Sequence, residues 1–236
     1  MSRELRLVHS SDLHIDDVEV KGPLNGLVGL RLVIATAQAL DADLLLLAGD
    51  TFDNHRISQP VLHQAGAILA EAPMPVILLP GNHDPAMVPC LFQRSGIAAL
   101  PRARVLGVTH DQAVVWPDWE LEIWGHAHRD HNDMTPLRTP HPRRTRWQVV
   151  MAHGHYVPPE DQDQPGKRSW QITDDELAAT GADYVALGHW DRPVTVGDGR
   201  VPAAYSGSPA LAKTVNLVRL DPAAGASFRR EPLHGI

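Results

Sequence analysis

Cysteine is almost absent. The 236 residues include one, Cys90, which excludes an internal disulfide and a thiolate metal cluster, so the chain needs no oxidising compartment. Any metal must then be held by His, Asp, Glu or Asn. Basic charge is also short, with 21 Lys+Arg against 28 Asp+Glu and a net charge of −7. This excludes a protein that coats nucleic acid by bulk electrostatics, so any contact with phosphates has to be local. Long apolar runs are missing as well: no stretch reaches the ~18 consecutive apolar residues of a membrane span. Charges interrupt Met1 to His9 too early for a signal peptide. The expectation is a soluble, cytoplasmic protein with no membrane partner. Gly plus Pro amounts to 38 residues, about one in six, below the level that signals disorder. There is no internal repeat. At roughly 150 residues per domain, one layered α/β domain spanning 1–236 is the simplest reading.

What is present is unevenly distributed. Asp outnumbers Glu 20 to 8 and Arg outnumbers Lys 18 to 3, unlike a surface of helical Glu/Lys pairs. Short carboxylates favour loops, caps and hard metals. The Arg excess fits codon bias or bidentate phosphate binding, which Arg does better than Lys. The 14 His gather in His-Asp and Gly-His groupings.

Those groupings follow apolar runs. Leu5 to His9 reads as a strand that ends in Ser10-Ser11-Asp12-Leu13-His14. Leu27 to Leu40 has helical spacing. The run from Asp43 to Ala48 predicts a strand buried on both faces, ending at Gly49-Asp50. Val61 to Ala70 is again helical, and Pro75 to Leu79 predicts a strand ending in Pro80-Gly81-Asn82-His83-Asp84. This is the βαβ alternation of an α/β fold. Further strands are predicted at Val105 to Val108, Ala113 to Trp116, Leu121 to Trp124, Gln148 to Ala152 and Tyr184 to Leu187. A helix is expected near Thr173 to Ala179, opened by a capping box. The C-terminal part reads as antiparallel, with Val194 to Val196, Val201 to Tyr205 and Val215 to Leu220 as strands. Between Arg129 and Arg146 the chain is polar and Pro-interrupted. Its Arg138, Arg143, Arg144 and Arg146 read either as a solvated loop or as a phosphate-contacting patch, with Arg143 and Arg144 the candidate substrate-binding residues.

Five strand ends present hard-metal ligands: Asp12 with His14, Asp50, Asn82 with His83, His153, and His189 with Asp191. In α/β sheets, side chains beyond the strands' carboxyl ends converge on the ligand crevice. Two divalent ions ~3.5–4 Å apart clamp both oxygens of an in-line displacement at phosphorus and make a bridging hydroxide nucleophilic near neutral pH. Asp50, at the end of the most buried strand, is the natural bridge. Carboxylate, imidazole and amide donors suit Mn²⁺, with Fe, Zn²⁺ or Mg²⁺ as alternatives. His83 can supply a proton or positive charge to the leaving oxygen, and Asp84 can orient it.

The series Asp12-Leu13-His14, Gly49-Asp50, Gly81-Asn82-His83-Asp84, His153 in Ala-His-Gly-His, and Gly188-His189 resembles the calcineurin-like metallophosphoesterases across about residues 7 to 210. The wording of Val8 to His14, Gly49 to Asp53 and Tyr205 to Pro209 is most similar to the SbcD-type nuclease subunits of DNA repair exonucleases. The resemblance implies a four-layer sandwich of two mixed β-sheets flanked by helices. It implies one metal held by Asp12, His14, Asp50 and Asp191, and a second by Asp50, Asn82, His153 and His189, with His83 as the catalytic histidine that is not a ligand. The function implied is dinuclear phosphodiester hydrolysis, of nuclease type. The alternatives are a small-molecule phosphoesterase, acting on a cyclic nucleotide or a phosphomonoester, and a silent metal-binding module. The net charge and the length count against the nuclease version, because the resembled subunits usually append a DNA-capping domain and a segment that binds an ATPase partner.

Asp191 departs from the usual Gly-His-x-His ending. A carboxylate there either ligates, hardening the first site toward Mn²⁺ or Mg²⁺, or has lost the role. Gly125-His126-Ala127-His128 has that spelling but comes before His153, so it reads as a loop near the cleft or as the source of a replacement ligand. His155 is on the same face as His153 if the segment is extended, leaving a role beside the site or on the surface. His9 reads as a hydrogen-bonded core histidine. His55, His63, His110, His131, His141 and His234 read as surface residues.

Overall fold

The computed structural model describes residues 3–17, 24–111, 113–130, 135–137, 141–161 and 170–235. In chain order its elements are β1 (Leu5–Ser10), α1 (Gly26–Ala39), β2 (Leu44–Ala48), α2 (Gln59–Ala70), β3 (Val76–Leu79), α3 (Leu91–Arg94), β4 (Ala103–Val105), β5 (Ala113–Trp116), β6 (Leu121–Gly125) and β7 (Trp147–His153). There follow β8 (His155–Tyr156), β9 (Gln171–Ile172), α4 (Asp174–Ala179), β10 (Tyr184–Gly188), β11 (Val194–Val196), β12 (Ala203–Tyr205), α5 (Pro209–Ala212), β13 (Thr214–Asp221) and β14 (Gly225–Pro232).

Local chemistry starts the helices. Asn25 accepts from the Val28 N–H at the head of α1, and Thr173 and Glu176 form the capping box of α4. The strands assemble into two six-stranded mixed sheets, in the orders β14-β13-β1-β2-β3-β4 and β11-β12-β10-β7-β6-β5. β1 to β4 run parallel, as do β6, β7, β10 and β12, with antiparallel strands outside them. β8 and β9 pair as a separate parallel ribbon.

The unbroken apolar runs have a physical reason. Alternate residues of a strand face opposite sides, and here both sides are covered. Leu44, Leu46, Ile77 and Leu79 meet Ile123, Val149, Met151 and Tyr184 between the sheets. Leu45, Leu47 and Leu78 instead pack under Leu30 and Val33 of α1 and Leu62 and Ile68 of α2. On the far side, Val150, Val185 and Leu187 pack with Leu177 of α4. The result is the expected four-layer sandwich. His9 points into the middle layer, with Nδ1 3.0 Å from the Tyr184 hydroxyl on the opposite sheet.

Three expectations change. The strand expected at Val105 to Val108 is Ala103–Val105, and Thr109 folds back to accept from the Val105 N–H at 2.8 Å. β12 is antiparallel to β11 but parallel to β10, so the C-terminal part is not purely antiparallel. β14 was not expected, because all its residues are exposed or half-buried and half of them are polar, as suits the edge of a sheet. Among the described residues no helix is long and apolar enough to cross a membrane.

Candidate metal centre

The ends of β1, β2, β3, β7 and β10 converge. Their backbone is strained where it turns: Asp12, His14, Asp50 and His189 have φ of 54°, 47°, 49° and 107°, four of the eight non-glycine residues with positive φ among those described. Such conformations cost of order 1–3 kcal/mol each and persist only where the surroundings enforce them. Glycine is required beside them. At Gly49, with φ of 91°, a Cβ would lie 2.0 Å from His153 Nδ1. At Gly188 it would lie 1.8 Å from the Ala48 carbonyl oxygen. Here the two sheets approach closely enough that the His153 ring packs against the Gly49 backbone.

Two groups of three potential donors form, each with its ligand atoms within 4.8 Å of one another: His14, Asp50 and His83, and Asp50, His153 and His189. Asp50 belongs to both. In the second group His153 is buried, and its Nδ1 is 2.9 Å from the Ala48 carbonyl, which can only accept. Nε2 of a neutral His153 is therefore a lone pair. It lies 3.0 Å from Asp50 Oδ2 and 3.0 Å from Asn82 Oδ1, and His189 Nδ1 is 3.1 Å from the same Asn82 oxygen. Electron pairs that converge in this way call for a cation between them. In the metal-free protein a proton fills that need. Burial would lower the pKa of His153, but the Asp50 carboxylate and its hydrogen bond raise it to about 9. Burial likewise opposes ionisation of Asp50, yet His153 and the His83 N–H hold it below the usual carboxylate range. His189 is pushed down to about 4, by burial first and by the charge on His153 second. The donor set, oxygen and imidazole without sulfur, fits a hard or borderline divalent ion.

In the first group Asp53 Oδ1 lies 3.0 Å from His14 Nδ1, leaving His14 Nε2 as the ligand atom. The Asp53 carbonyl takes His83 Nδ1–H at 2.6 Å, and the His83 N–H donates to Asp50 Oδ1 at 2.9 Å. Asp12 is buried, and both its oxygens accept from the His189 N–H at 3.0 Å. Burial, with Asp50 nearby, raises its pKa. The site opens outward from these buried carboxylates to His83, whose side chain is 42% exposed.

Several expected residues are placed differently. Asp84 does not orient the His83 ring. Fully buried, it accepts from the N–H groups of Gly81 at 2.7 Å and Phe52 at 3.1 Å, pinning the two ligand loops together. Burial and then the Asp50 charge push its pKa up to about 7. Asp191 is exposed and outside both groups of donors. Arg143 and Arg144 do not face the site. Arg143 pairs with Asp183 at 2.8 Å, and Arg144 pairs with the buried Glu122. Both precede Trp147, the start of β7, whereas His153 ends it, about 20 Å away at ~3.3 Å per residue. Arg138 and His131 lie outside the described residues. His141 is not a surface residue but reaches Glu122 at 2.9 Å. His128 is buried behind the centre, its Nε2 2.8 Å from the His153 carbonyl, and is in neither group of donors. Asp53 was missed as a site residue, although its position three residues after Asp50 is where a loop returns to the preceding ligands.

A family model described as calcineurin-like phosphoesterase matches residues 5–193. The chain belongs to this family. Among curated proteins the chain is 24% identical, over 279 aligned positions, to the SbcD subunit of the SbcCD nuclease of Bacillus subtilis (strain 168), covering 95% of this chain and 68% of that one. Among solved structures, a Staphylococcus aureus protein bearing the name 5′-nucleotidase superposes with a TM-score of 0.61 at 14% identity, over 98% of this chain and 54% of that one. A Thermus thermophilus protein superposes with a TM-score of 0.60 at 14% identity, over 98% and 99% of the two chains. These likenesses support the four-layer fold. Family membership makes the protein a metal-dependent hydrolase of phosphoesters.

Proposed function

We propose that the protein is a dinuclear phosphodiesterase of nuclease type. The observation that carries the reading is Asp50, a buried carboxylate shared by both groups of donors. His14 and Asp50 of the first group, joined by the buried Asp12 beside Asp50, would hold one ion, with His83 of that group left as the acid, and Asp50, His153 and His189 with Asn82 would hold the other. Two divalent ions held there, Mn²⁺ being the best fit to these donors, would supply Lewis acidity at the phosphoryl oxygens and lower the pKa of water. The chain's own residues do the rest. Asp50, common to both groups of donors, would be a ligand to both ions, and it accepts from the His83 N–H. His83, tied at Nδ1, exchanges its proton at Nε2, and from its exposed position donates it to the leaving oxygen. The family supports phosphoester hydrolysis, and the likeness to a nuclease component favours a nucleic-acid diester over a small phosphate.

The test compares bis(4-nitrophenyl) phosphate, 4-nitrophenyl phosphate and single-stranded DNA with Mn²⁺, using Asp50→Asn as control. Turnover of the diester and of DNA, lost in Asp50→Asn, is expected. Preference for the monoester would favour a small-molecule phosphatase. Equal rates for wild type and Asp50→Asn would overturn the metal mechanism.

A further inference from the structure

Exposed histidines usually rotate freely, but His155, exposed beside the centre, is held on several sides. Its N–H donates to the Trp170 carbonyl at 2.7 Å. The buried Tyr205 hydroxyl grips the chain on either side of it, donating to the Gly154 carbonyl at 2.7 Å and accepting from the Tyr156 N–H at 2.8 Å. The side chain is tied by Trp190, whose Nε1–H donates to His155 Nδ1 at 3.0 Å. Trp190 is itself stacked on Tyr205, with centroids 4.4 Å apart and planes 10° off parallel.

This arrangement fixes a tautomer. An indole N–H only donates, so Nδ1 accepts and the neutral imidazole carries its proton on Nε2. The ring stands edge-on to His189 at 6.3 Å, yet His155 is outside the donor group of Asp50, His153 and His189. It adjoins the centre without belonging to it.

We infer that His155 is a substrate-binding residue whose Nε2–H donates to a non-bridging oxygen of the phosphoester, and that Trp190 positions it. This rests on the phosphoesterase reading above. With Nδ1 accepting from Trp190, the ring has one N–H left to offer, at Nε2, and that N–H is held in a fixed direction. Arg143 and Arg144, the substrate-binding candidates of the sequence, are committed to Asp183 and Glu122 at the other end of β7. Restraint of both backbone and ring lowers the cost of ordering the donor when substrate binds.

Three variants test this in the Mn²⁺-loaded protein: His155→Phe keeps a ring without the donor, His155→Gln returns an N–H near the Nε2 position, and Trp190→Phe keeps the stack but removes the indole N–H. The readouts are kinetics on bis(4-nitrophenyl) phosphate, calorimetric titration with inorganic phosphate, and metal content. Imidazole ¹⁵N shifts of the metal-free wild type report the tautomer. His155→Phe should raise KM and weaken phosphate binding about tenfold or more, the worth of one hydrogen bond to a charged group, with a smaller change in kcat. His155→Gln should recover part of the loss, and Trp190→Phe should fall between. Metal content should not change, and the wild type should show a protonated Nε2. Unchanged KM and phosphate affinity in His155→Phe would overturn the inference, as would loss of an ion or a protonated Nδ1. Should the loaded wild type turn over no ester at all, the phosphoesterase reading fails, and the phosphate titration still decides the role of His155.

Discussion

His14 and Asp53 form a carboxylate–imidazole pair, Nδ1 to Oδ1 at 3.0 Å, while the Asp53 main-chain carbonyl separately binds His83. One residue thus orients two histidines through two different groups, and substitution can separate them. Asp53→Ala removes the carboxylate but keeps the carbonyl. It should weaken Mn²⁺ binding about 10–100-fold, as loss of a partner behind a metal-bound histidine does, and leave the His83 tautomer as it is. Calorimetric titration of the metal-free protein measures the first effect, and ¹⁵N shifts of the imidazoles the second.

The proton on His153 gives the metal-free protein a signature in alkali. With a folded pKa raised from 6.5 to about 9, its contribution to stability is fully present below about 6.5 and is lost as pH rises through about 9. Thermal midpoints in chelator should fall across that window. His153→Gln should be flatter there, and saturating Mn²⁺ should remove the slope by replacing the proton.

Acid acts through a different histidine. Burial lowers the pKa of His9 from 6.5 to about 3, so its contribution is present above 6.5 and is lost as pH falls toward 3, where the unfolded chain takes up a proton that the folded one refuses. Denaturant melts between pH 7 and 4 should show stability falling, less steeply in His9→Gln.

Arg144 tests whether the arginine loop is structural. Arg144→Ala leaves the buried Glu122 with His141 as its one ionic partner among the described residues and should cost roughly 1–3 kcal/mol in urea unfolding, the penalty for a buried acceptor deprived of a partner. KM for a diester should stay within twofold. A large rise in KM would return the loop to the substrate.

Gly49→Ala should lose metal before it loses fold. Its Cβ would sit 2.0 Å from His153 Nδ1, and overpacking of this kind costs typically about 1–3 kcal/mol. Stability should drop by that order, with Mn²⁺ stoichiometry reduced because His153 has to move.

Much of the centre was readable in the chain because apolar runs such as Asp43 to Ala48 end abruptly in ligand residues, and parallel packing brings those ends together. The partners of charged surface residues were not readable. Arg144 and Glu122 are 22 positions apart, and Arg143 and Asp183 are 40 apart, so only the fold shows that these two arginines are already paired. Asp84 misled for a related reason: adjacency to His83 suggested a partnership, but the turn sends its carboxylate inward to Gly81 and Phe52. β14 escaped notice because an edge strand needs few apolar residues, and Phe228 is the one large hydrophobic side chain it packs against the middle layer.

The donors are divided between two sheets. Asp12, His14, Asp50, Asn82 and His83 follow strands of one, and His153 and His189 follow strands of the other. The centre is therefore a gauge of how the sheets are stacked. A change in the middle layer that slides one sheet across the other by a fraction of an ångström would detune the ligand geometry while each sheet stayed intact. Substitution in the core at Ile77 or Met151, which pack in the middle layer from opposite sheets, should thereby change metal affinity.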